Sequence, residues 1–428
     1  MARFDLLVVG AGPAGLSAAA AAARHGAKVC VLDQAAAIGG QIWRRDVQHA
    51  RPAVPEKLMQ ELLKRPGATI LTASQVVGTD GDRRLLVVRE GDGGVKAFEC
   101  EGLILATGAR ELMLPFPGWT LPGVSGAGGL QALLKGGVAI AGQRVVVAGT
   151  GPLLWVCADM VARKGGSVVA IVESLPVHRL AGFAAGLWRH PGKLAQALAL
   201  RARQLRTSFI ASGNLLRAVG DERVKGVELR QGNRLREFAC DRIAYGLGLI
   251  ANVELGVALG CRTIHDGFAG RAIHVDDHQR TSIGGVFAAG ECTGSRGAEL
   301  AAIEGAIAGL AFVNRFDTDG PEARSRRRWR AFSDRVSGTF AVDRNWAREV
   351  ADQALVCRCE DVPFKAVKAF GSWEEAKMVT RCGMGPCQGR LCGAAVHALL
   401  GWGPTRVRRP LTPLSLGALG GLGGRDSE

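Results

Sequence analysis

The stretch FDLLVVGAGPAGLSAAAAAARHGAKVCVLD, which runs from Phe4 to Asp33, decides the fold of this chain. It begins with an apolar strand, passes through a glycine turn into an alanine-rich helix at Ala14 to Arg24, and ends with a second strand at Lys28 to Leu32. This order predicts a βαβ unit, in which two parallel strands are joined by a helix that packs on the sheet.

The glycine turn reads Gly10-Ala11-Gly12-Pro13-Ala14-Gly15 and matches the fingerprint of a dinucleotide-binding turn. In that fingerprint the first glycine permits the tight turn, the second lets the backbone approach a pyrophosphate, and the third lets helix and strand pack closely. The helix N-terminus then faces the diphosphate with its free N–H groups. Asp33 ends the second strand, and with Gln34 beside it we expect it to bind the ribose of an adenosine.

Three further segments favour a flavin over a nicotinamide in this first site. They are Gly39-Gly40-Gln41, Ala106-Thr107-Gly108 and Gly290-Glu291, the last of which precedes a helix whose N-terminus is expected to face the flavin ring. Together they resemble the large two-dinucleotide-binding-domain flavoproteins, to which thioredoxin and glutathione reductases belong. The residues predicted to bind FAD are Gly10, Gly12, Pro13, Ala14, Gly15, Asp33, Gln34, Gly40, Gln41, Thr107, Gly108, Gly290 and Glu291.

A second βαβ unit runs from Arg144 to Glu173 and contains the turn Gly149-Thr150-Gly151-Pro152-Leu153-Leu154. Leu154 replaces the third glycine, and a leucine there is expected to push the helix from the strand or to narrow the diphosphate site. Glu173 would accept hydrogen bonds from ribose hydroxyls and repel a 2′-phosphate. The second site is therefore predicted to take NAD or ATP rather than NADP, or to be an empty structural copy, with Gly149, Gly151 and Glu173 as its residues.

The cysteines divide into scattered single residues and one C-terminal group. Cys30, Cys100 and Cys157 are isolated, so the redox cysteine pair of a disulfide reductase is absent from the sequence and we expect another activity. The C-terminal group reads Cys357-Arg358-Cys359 and, further on, Cys382, Cys387 and Cys392. Such a group suits a four-thiolate zinc site or a 2Fe-2S cluster, and its spacing differs from the two Cys-x-x-Cys knuckles usual for zinc. An iron-sulfur cluster is therefore the favoured interpretation.

Charge and hydropathy limit the partners. The chain has 54 basic and 39 acidic residues, and part of the excess lies in one run: Arg324, Arg326, Arg327, Arg328, Arg330, Arg335, Arg344 and Arg348. The run is interpreted as the solvated face of a connecting helix, or as a surface for an acidic protein partner or an anionic membrane. No aromatic pattern for nucleic acid accompanies it. Without an apolar span of about 18 residues or an export signal, we expect a cytoplasmic protein that is not integral to the membrane.

Five motifs together resemble a known family, and they cover nearly the whole chain. They are the two glycine turns, Ala289-Gly290-Glu291-Cys292-Thr293-Gly294, Cys357-Arg358-Cys359-Glu360, and Cys382-Gly383-Met384-Gly385-Pro386-Cys387-Gln388-Gly389-Arg390. This set is similar to a group of flavoproteins that comprises the opine oxidase A subunit, the hydrogen cyanide synthase B subunit and the D-hydroxyproline dehydrogenase alpha subunit. Its cysteine part resembles the bacterioferritin-associated ferredoxin, a small helical 2Fe-2S domain. That likeness implies Cys357, Cys359, Cys387 and Cys392 as ligands, with Cys382 as the alternative.

The resemblance also implies a divided enzyme. A partner flavoprotein subunit would oxidise the carbon beside an amine, and this chain, holding FAD and the cluster, would pass electrons to a respiratory acceptor at the inner face of the membrane. A small additional ferredoxin-like subunit is compatible with this arrangement. The alternatives are a self-contained NAD(P)H-dependent reductase, a subunit of hydrogen cyanide synthase, and a scaffold without catalytic activity. None of the eight histidines stands out as a substrate base, so no catalytic residue is assigned.

The predicted fold is α/β, with two nested Rossmann-like domains and a small helical C-terminal 2Fe-2S domain. The first domain is interrupted by the second and resumes after it. The predicted divisions are residues 1–112 and 266–315 for the FAD domain, 113–265 for the inserted NAD-like domain, 316–354 for the arginine-rich connector, 355–400 for the cluster domain and 401–428 for an extended tail.

Overall fold

The computed structural model describes residues 2–47, 53–89, 91, 94–268, 270–342, 347, 349, 351–352 and 354–423. In chain order its strands are β1 (Ala2–Val9), β2 (Val29–Leu32), β3 (Thr69–Leu71), β4 (Ser74–Thr79), β5 (Arg84–Arg89), β6 (Val95–Leu105), β7 (Ala109–Glu111), β8 (Val124–Gly126), β9 (Arg144–Gly149), β10 (Ser167–Glu173), β11 (Ser208–Ala211), β12 (Gly213–Val219), β13 (Gly226–Gln231), β14 (Arg234–Ala239), β15 (Arg242–Gly246), β16 (Leu249–Ala251), β17 (Thr263–Asp266), β18 (Gly270–Ile273), β19 (Val286–Ala288), β20 (Leu355–Cys357) and β21 (Val362–Pro363).

The helices are α1 (Pro13–Arg24), α2 (Ala53–Leu63), α3 (Ala127–Lys135), α4 (Leu153–Arg163), α5 (Val177–Ala185), α6 (Pro191–Arg203), α7 (Glu254–Ala258), α8 (Ala298–Phe312), α9 (Pro321–Thr339), α10 (Phe364–Val367), α11 (Trp373–Thr380), α12 (Cys392–Leu400) and α13 (Leu416–Gly423). Short 3-10 helices lie at Gly186–Arg189 and Gly290–Thr293. Among the described residues no helix is both long and apolar enough to span a membrane.

The first sheet has the strand order β3-β2-β1-β6-β5-β4, and β19 pairs with β6. Strands β1, β2, β3, β6 and β19 are parallel to their neighbours in this set, whereas β4 and β5 add antiparallel pairs at one side. Leu6 and Leu7 of β1 and all four residues of β2 are buried, as expected for strands covered on both faces. Because β19 returns to this sheet after the second sheet is complete, the predicted nested arrangement is observed.

Helices α1 and α8 of the first half pack closely against each other. A Cβ on Gly305 of α8 would lie 2.0 Å from the backbone oxygen of Ala14, and one on Gly309 would lie 2.3 Å from that of Ala18. Only glycine at these positions lets α8 approach the backbone of α1 so closely. The close contact places the N-terminus of α8 beside the glycine turn of the first βαβ unit.

The second sheet is entirely parallel, with the order β11-β10-β9-β15-β8, and a three-stranded antiparallel sheet β12-β13-β14 lies beside it. The antiparallel pair β7 and β16 connects the two halves of the molecule. Glu111 of β7 accepts hydrogen bonds from the backbone N–H groups of Gly128 (2.7 Å) and Gly129 (2.8 Å) at the start of α3. This carboxylate therefore fixes the first helix of the second half to the connecting strand.

The arginine run forms α9, a connecting helix whose arginines are mostly exposed. Arg335 is half-buried, and Arg326 is buried, with its guanidinium contacting Asp277 at 2.7 Å. Arg344 and Arg348 lie outside the described residues.

The C-terminal module is mainly helical, as predicted. Its hydrophobic core is continuous with that of the second half, and the indole N–H of Trp119 donates a hydrogen bond of 2.7 Å to the carbonyl oxygen of Leu355. Ser372 accepts a hydrogen bond from the N–H of Glu375 at the start of α11.

The tail differs from the extended form predicted for it. Residues 416–423 form α13, and Leu411 is buried against the core of the first half. The N–H of Leu411 donates to the carbonyl oxygen of Val77 at 2.8 Å, which ties the tail to strand β4. The tail packs because its apolar residues reach the core of the first half, as Val407 also does.

Candidate cofactor cavity and cysteine cluster

A cavity of about 710 Å³ opens at the carboxyl ends of the parallel strands of the first sheet. Val9, Leu32, Ala106 and Ala289, at or just after the ends of four of these strands, contribute to its wall. This edge is where nucleotides bind in folds of this type. All the residues predicted to bind FAD line the cavity except Gly15 and Gly290.

The three glycines of the first turn have different roles. Gly10 has a φ of +111°, and a Cβ there would lie 2.2 Å from the carbonyl oxygen of Ala106. A Cβ on Gly15 would lie 1.7 Å from the carbonyl oxygen of Gly10, so this glycine is required by helix packing. Gly12 faces the cavity, and the nearest atom to its hypothetical Cβ is the Cα of Gly40 at 3.8 Å. The room beside Gly12 fits a pyrophosphate.

Asp33 is held in place by the turn itself. Its carboxylate accepts hydrogen bonds from the N–H of Ala11 at 2.6 Å and of Ala35 at 2.8 Å. Burial raises the pKa of Asp33, and these two N–H groups oppose the rise. The carboxylate remains partly exposed to the cavity, which leaves it able to accept a ribose hydroxyl.

The opposite wall is formed by the segment after β19. Glu291 lines the cavity, and burial raises the pKa of its carboxyl group. The neighbouring Gly290 has a φ of +75°, and its N–H donates to the carboxylate of Glu304 at 3.1 Å. Gly290 thus shapes the wall through its backbone instead of lining it. Ala298, the first residue of α8, also lines the cavity, so the positive end of that helix points at its contents.

Three polar residues that the motifs did not indicate, Arg110 on β7, Asn252 and Glu254, form a group with the predicted Thr107. The guanidinium of Arg110 donates to Asn252 Oδ1 at 2.7 Å and forms an ion pair with Glu254 at 3.0 Å. The side-chain amide of Asn252 donates to the backbone carbonyl oxygen of Thr107 at 2.9 Å. The hydroxyl of Thr107 donates in return to the backbone carbonyl oxygen of Asn252 at 2.7 Å. All four residues line the cavity. No local pattern marks this group, because its members come from distant segments and meet only in the folded chain.

Three more wall residues, Arg390, Leu411 and Thr412, come from the C-terminal part of the chain. The guanidinium of Arg390 donates to the carbonyl oxygen of Leu411 at 2.7 Å, and Arg110 donates to the carbonyl oxygen of Arg390 at 3.3 Å. Arg390 belongs to a motif distinguished by its cysteines, and only the structure places it at the nucleotide cavity.

The second glycine turn shares a positive φ at its first glycine with the first turn but differs at its second glycine, where φ is +103° at Gly151 and −80° at Gly12. Gly149 has a φ of +135°, and a Cβ there would lie 1.8 Å from the carbonyl oxygen of Gly246. Leu154 is fully buried between helix and sheet, where Gly246 leaves room for its side chain. The leucine is therefore accommodated by a glycine on the neighbouring strand, and α4 starts one position later in its motif than α1 does.

The second turn is nevertheless covered. Glu173 accepts hydrogen bonds from the N–H groups of Gly151 at 2.9 Å and Leu175 at 3.1 Å, as Asp33 does in the first half, yet it is only 2% exposed. A Cβ added to Gly151 would lie 3.9 Å from the Cβ of Phe340. The ring of Phe340 packs edge-on against that of Phe183, with ring centroids 5.0 Å apart. The residue that follows α9 thus lies over the second glycine turn.

The five C-terminal cysteines meet in one cluster. The sulfur atoms of Cys357, Cys382 and Cys392 all lie within 4.8 Å of one another. Proximity to the Cys392 thiol is the largest of the effects that lower the pKa of Cys357 to about 5 and that of Cys387 to about 4, and Cys359 contacts Cys387. Thiolates are the ligands of both 2Fe-2S and zinc sites, so the donor set fits either group. Cys382, the alternative ligand, belongs to the buried part of the cluster, whereas Cys359 is exposed.

The glycines of the cysteine motif let its loop fold tightly around this cluster. A Cβ on Gly385 would lie 2.2 Å from the Cβ of Cys359. Gly383 and Gly389 have φ values of +83° and +79°, and both lie against the ring of Trp373. The loop therefore wraps around Trp373 and brings the later cysteines to the Cys-x-Cys segment.

The isolated cysteines have no catalytic geometry. Burial raises the pKa of Cys30 and Cys157 to about 12 and that of Cys100 to about 11. Among the described residues no cysteine lines the cofactor cavity. These thiols are small buried apolar groups, in agreement with the absence of a redox pair from the sequence.

The fold and the cavity define a two-dinucleotide-binding-domain flavoprotein. The chain belongs to the pyridine nucleotide-disulphide oxidoreductase family, whose model matches residues 4–308. It is 32% identical to the opine oxidase A subunit of Rhizobium meliloti (strain 1021), over 99% of each chain. It is 31% identical to hydrogen cyanide synthase subunit HcnB of Pseudomonas aeruginosa (strain PAO1), over 97% of this chain and 98% of the relative. The chain is therefore an oxidoreductase, and the predicted family resemblance is confirmed.

Solved structures show the same fold. L-proline dehydrogenase from P. horikoshii matches with a TM-score of 0.67 and 18% identity, over 97% of this chain and 79% of the other. Thioredoxin reductase from T. acidophilum matches with a TM-score of 0.57 and 23% identity, over 73% of this chain and 99% of the other. The second match leaves out about a quarter of the chain, whereas the first extends over nearly all of it.

Proposed function

We propose that this chain is the electron-transfer subunit of a heteromeric dehydrogenase acting on an amine or amino acid. A partner flavoprotein subunit would oxidise the carbon–nitrogen bond, and this chain would pass the electrons to a respiratory acceptor at the inner face of the membrane. Its similarity to the opine oxidase A subunit and to HcnB over almost the full length supports a role within a multi-subunit complex.

One observation carries the proposal: the nucleotide cavity and the cysteine cluster share a wall. Arg390 lies between Cys387 and Cys392 in the sequence and also lines the cavity. Arg110, on the other side, lines the cavity and hydrogen-bonds to the backbone of Arg390. Groups held in the cavity and by the cysteines would therefore be neighbours, as an electron relay requires.

The chain's own residues would hold two groups. The first glycine turn and Asp33 would bind the diphosphate and ribose of FAD, and Glu291 with the start of α8 would face the remainder of the cofactor. Cys357, Cys359, Cys387 and Cys392 would hold a 2Fe-2S cluster, with Cys382 as the alternative ligand. When bound, FAD takes up electrons in pairs and the cluster carries them singly. The guanidinium of Arg390 adds positive charge beside the cavity and so favours the arrival of negative charge there, whereas the charge of Arg110 is paired with Glu254.

A self-contained NADH-dependent reductase is less well supported. It would need the second glycine turn for NAD, and Phe340 covers that turn. We therefore interpret the second half as an empty structural copy in which Glu173 stabilises the turn. ATP at this turn would meet the same obstacle.

The test uses the full chain purified without oxygen. We expect flavin absorption bands and about two irons per chain, unchanged by NADH and by opines, hydroxyproline, sarcosine or glycine alone. Addition of the amine together with its partner subunit should bleach the flavin bands. Prompt bleaching by NADH alone would instead favour the free-standing reductase, and zinc in place of iron would contradict the electron relay. Cyanide released from glycine in the complete complex would identify a hydrogen cyanide synthase.

The shared wall has a test of its own. Arg390→Ala removes a side chain at the cavity, whereas Arg358→Ala removes an exposed arginine that lies between two cluster cysteines but not at the cavity. We expect Arg390→Ala to weaken FAD retention on a gel-filtration column while the iron content stays unchanged, and Arg358→Ala to change neither. Equal FAD retention in both variants would show that the cysteine loop does not contribute to the cofactor site.

A further inference from the structure

The crossover between β10 and β11, with the strand that follows it, has an unusual charge. Residues 174–220 contain no aspartate or glutamate, and their basic residues are Arg179, Arg189, Lys193, Arg201, Arg203, Arg206 and Arg217. This segment includes α5, the following 3-10 helix and α6. Lys193, Arg203 and Arg217 form ion pairs with acids elsewhere in the chain, which are Glu299, Asp159 and Glu228. The other cations give the crossover a net positive charge.

The same segment exposes large apolar side chains. Neither α5 nor α6 has a buried residue, although both contain many apolar ones. The exposed fractions are 65% for Val177, 68% for Trp188, 62% for Leu198 and 70% for Leu205. On α6 the exposed residues Ala195, Leu198 and Ala202 recur at spacings of three and four, and exposed Leu205 follows just after the end of the helix, so they form one apolar stripe. This apolar stripe therefore faces solvent, whereas Leu194 and Leu200 of the same helix are half-buried against the protein.

Helix α9 continues the positive surface. Arg335 of α9 donates to the carbonyl oxygen of Gly182 at 2.8 Å, and Arg179 of α5 donates to that of Gly338 at 3.2 Å. These bonds hold the two helices together. The exposed charged residues of α9 are one acid, Asp334, and four bases, which are Arg324, Arg327, Arg328 and Arg330. The guanidinium of Arg189 lies 5.2 Å from the ring of Trp188, so charge and apolar surface are adjacent.

We propose that α5, the 3-10 helix at Gly186–Arg189, α6 and the exposed face of α9 form a surface that binds an anionic phospholipid bilayer. A basic amphipathic helix with a tryptophan beside its charges has the chemistry of interfacial membrane binding. A protein partner presents charges of both signs, whereas an anionic bilayer presents negative charge over its whole area. A segment of 47 residues without an acidic residue is complementary to such a uniformly negative surface. This attachment deepens the membrane location proposed above for the electron-transfer role, but it is argued from this surface alone and its test does not require electron transfer.

The test is cosedimentation of the full chain with phosphatidylcholine vesicles, with and without phosphatidylglycerol. We expect binding only to the anionic vesicles, weakened by salt. The double variant Trp188→Ser/Leu198→Ser should lose binding about tenfold or more. The matched control is Leu235→Ser, since Leu235 is also 70% exposed but lies on β14. Circular dichroism of each variant checks that the fold is retained.

Three results would overturn the proposal. One is that the wild-type chain binds neither kind of vesicle. Another is that Leu235→Ser loses as much binding as the double variant, which would mean that the surface is not specific. The third is that the double variant binds vesicles normally but converts a dimer to a monomer in sedimentation velocity, which would assign the apolar stripe to a second copy of the chain.

Discussion

Two glycines of the same turn should fail in opposite ways when they are changed to alanine. The methyl carbon of Gly15→Ala would lie 1.7 Å from the carbonyl oxygen of Gly10, whereas nonbonded heavy atoms in contact lie about 3.5 Å apart. Helix α1 would have to move away from β1, and we expect the free energy of unfolding to fall by about 3 kcal/mol or more. Gly12 has an ordinary φ of −80° and an open neighbourhood, so alanine there should change that free energy by less than about 1 kcal/mol.

For FAD binding, in contrast to stability, we expect Gly12→Ala to be a severe change. The new methyl group would project into the room that fits a pyrophosphate and keep the diphosphate from reaching the backbone N–H groups of the turn. Hydrogen bonds to charged groups contribute about 1.5–3 kcal/mol, so Gly12→Ala should weaken FAD binding by roughly 10- to 100-fold.

The assay pairs urea unfolding of the FAD-free chain with titration of FAD followed by quenching of flavin fluorescence. Gly371→Ala is the control, because a Cβ at Gly371 would meet no atom within 4 Å. The reasoning is refuted if Gly12→Ala destabilises the FAD-free chain as much as Gly15→Ala does. It is refuted equally if Gly15→Ala leaves the unfolding free energy unchanged.

Three further predictions concern other parts of the molecule. Isothermal titration should detect no binding of NADH to the wild-type chain. Phe340→Ala uncovers the second glycine turn and should allow NADH to bind. Binding of NADH by the wild-type chain would contradict the conclusion that Phe340 covers this turn. Iron analysis should show loss of the cluster in Cys359→Ser and retention in Cys382→Ser, and the reverse result would make Cys382 the ligand. Glu111→Gln keeps one hydrogen-bond acceptor where the carboxylate had two, so the free energy of unfolding measured in urea should fall by about 1–3 kcal/mol. An unchanged free energy of unfolding would mean that the contact with α3 does not stabilise the fold.

The parts of the fold that depend on neighbouring residues could be predicted from the sequence. The helix predicted at Ala14 to Arg24 is observed as Pro13–Arg24, and the second strand predicted at Lys28 to Leu32 is observed as Val29–Leu32. Strand, turn and helix each leave a pattern within a few residues, and glycine turns leave a stronger one because their backbone angles restrict the residue type. The cysteine cluster was also indicated in this way, by the spacing of its members.

The sequence did not indicate how the modules dock. Arg110 and Arg390 meet at the cavity although 280 positions separate them, and Phe340 covers a turn that lies far earlier in the chain. Such contacts depend on the orientation of whole domains, and no short pattern encodes that orientation. The surroundings of Leu154 could not be foreseen for the same reason, because Gly246 on another strand leaves room for its side chain.

The position of Arg390, Leu411 and Thr412 in the cavity wall has a consequence for biosynthesis. The first βαβ unit leaves the ribosome early, but the wall is complete only when the last part of the chain has been synthesised and has packed against β4. Nascent chains therefore pass through a stage in which the nucleotide-binding turn is formed and its pocket is still open on one side. A chain cut short before Leu411 would therefore carry an incomplete pocket however well its N-terminal half had folded.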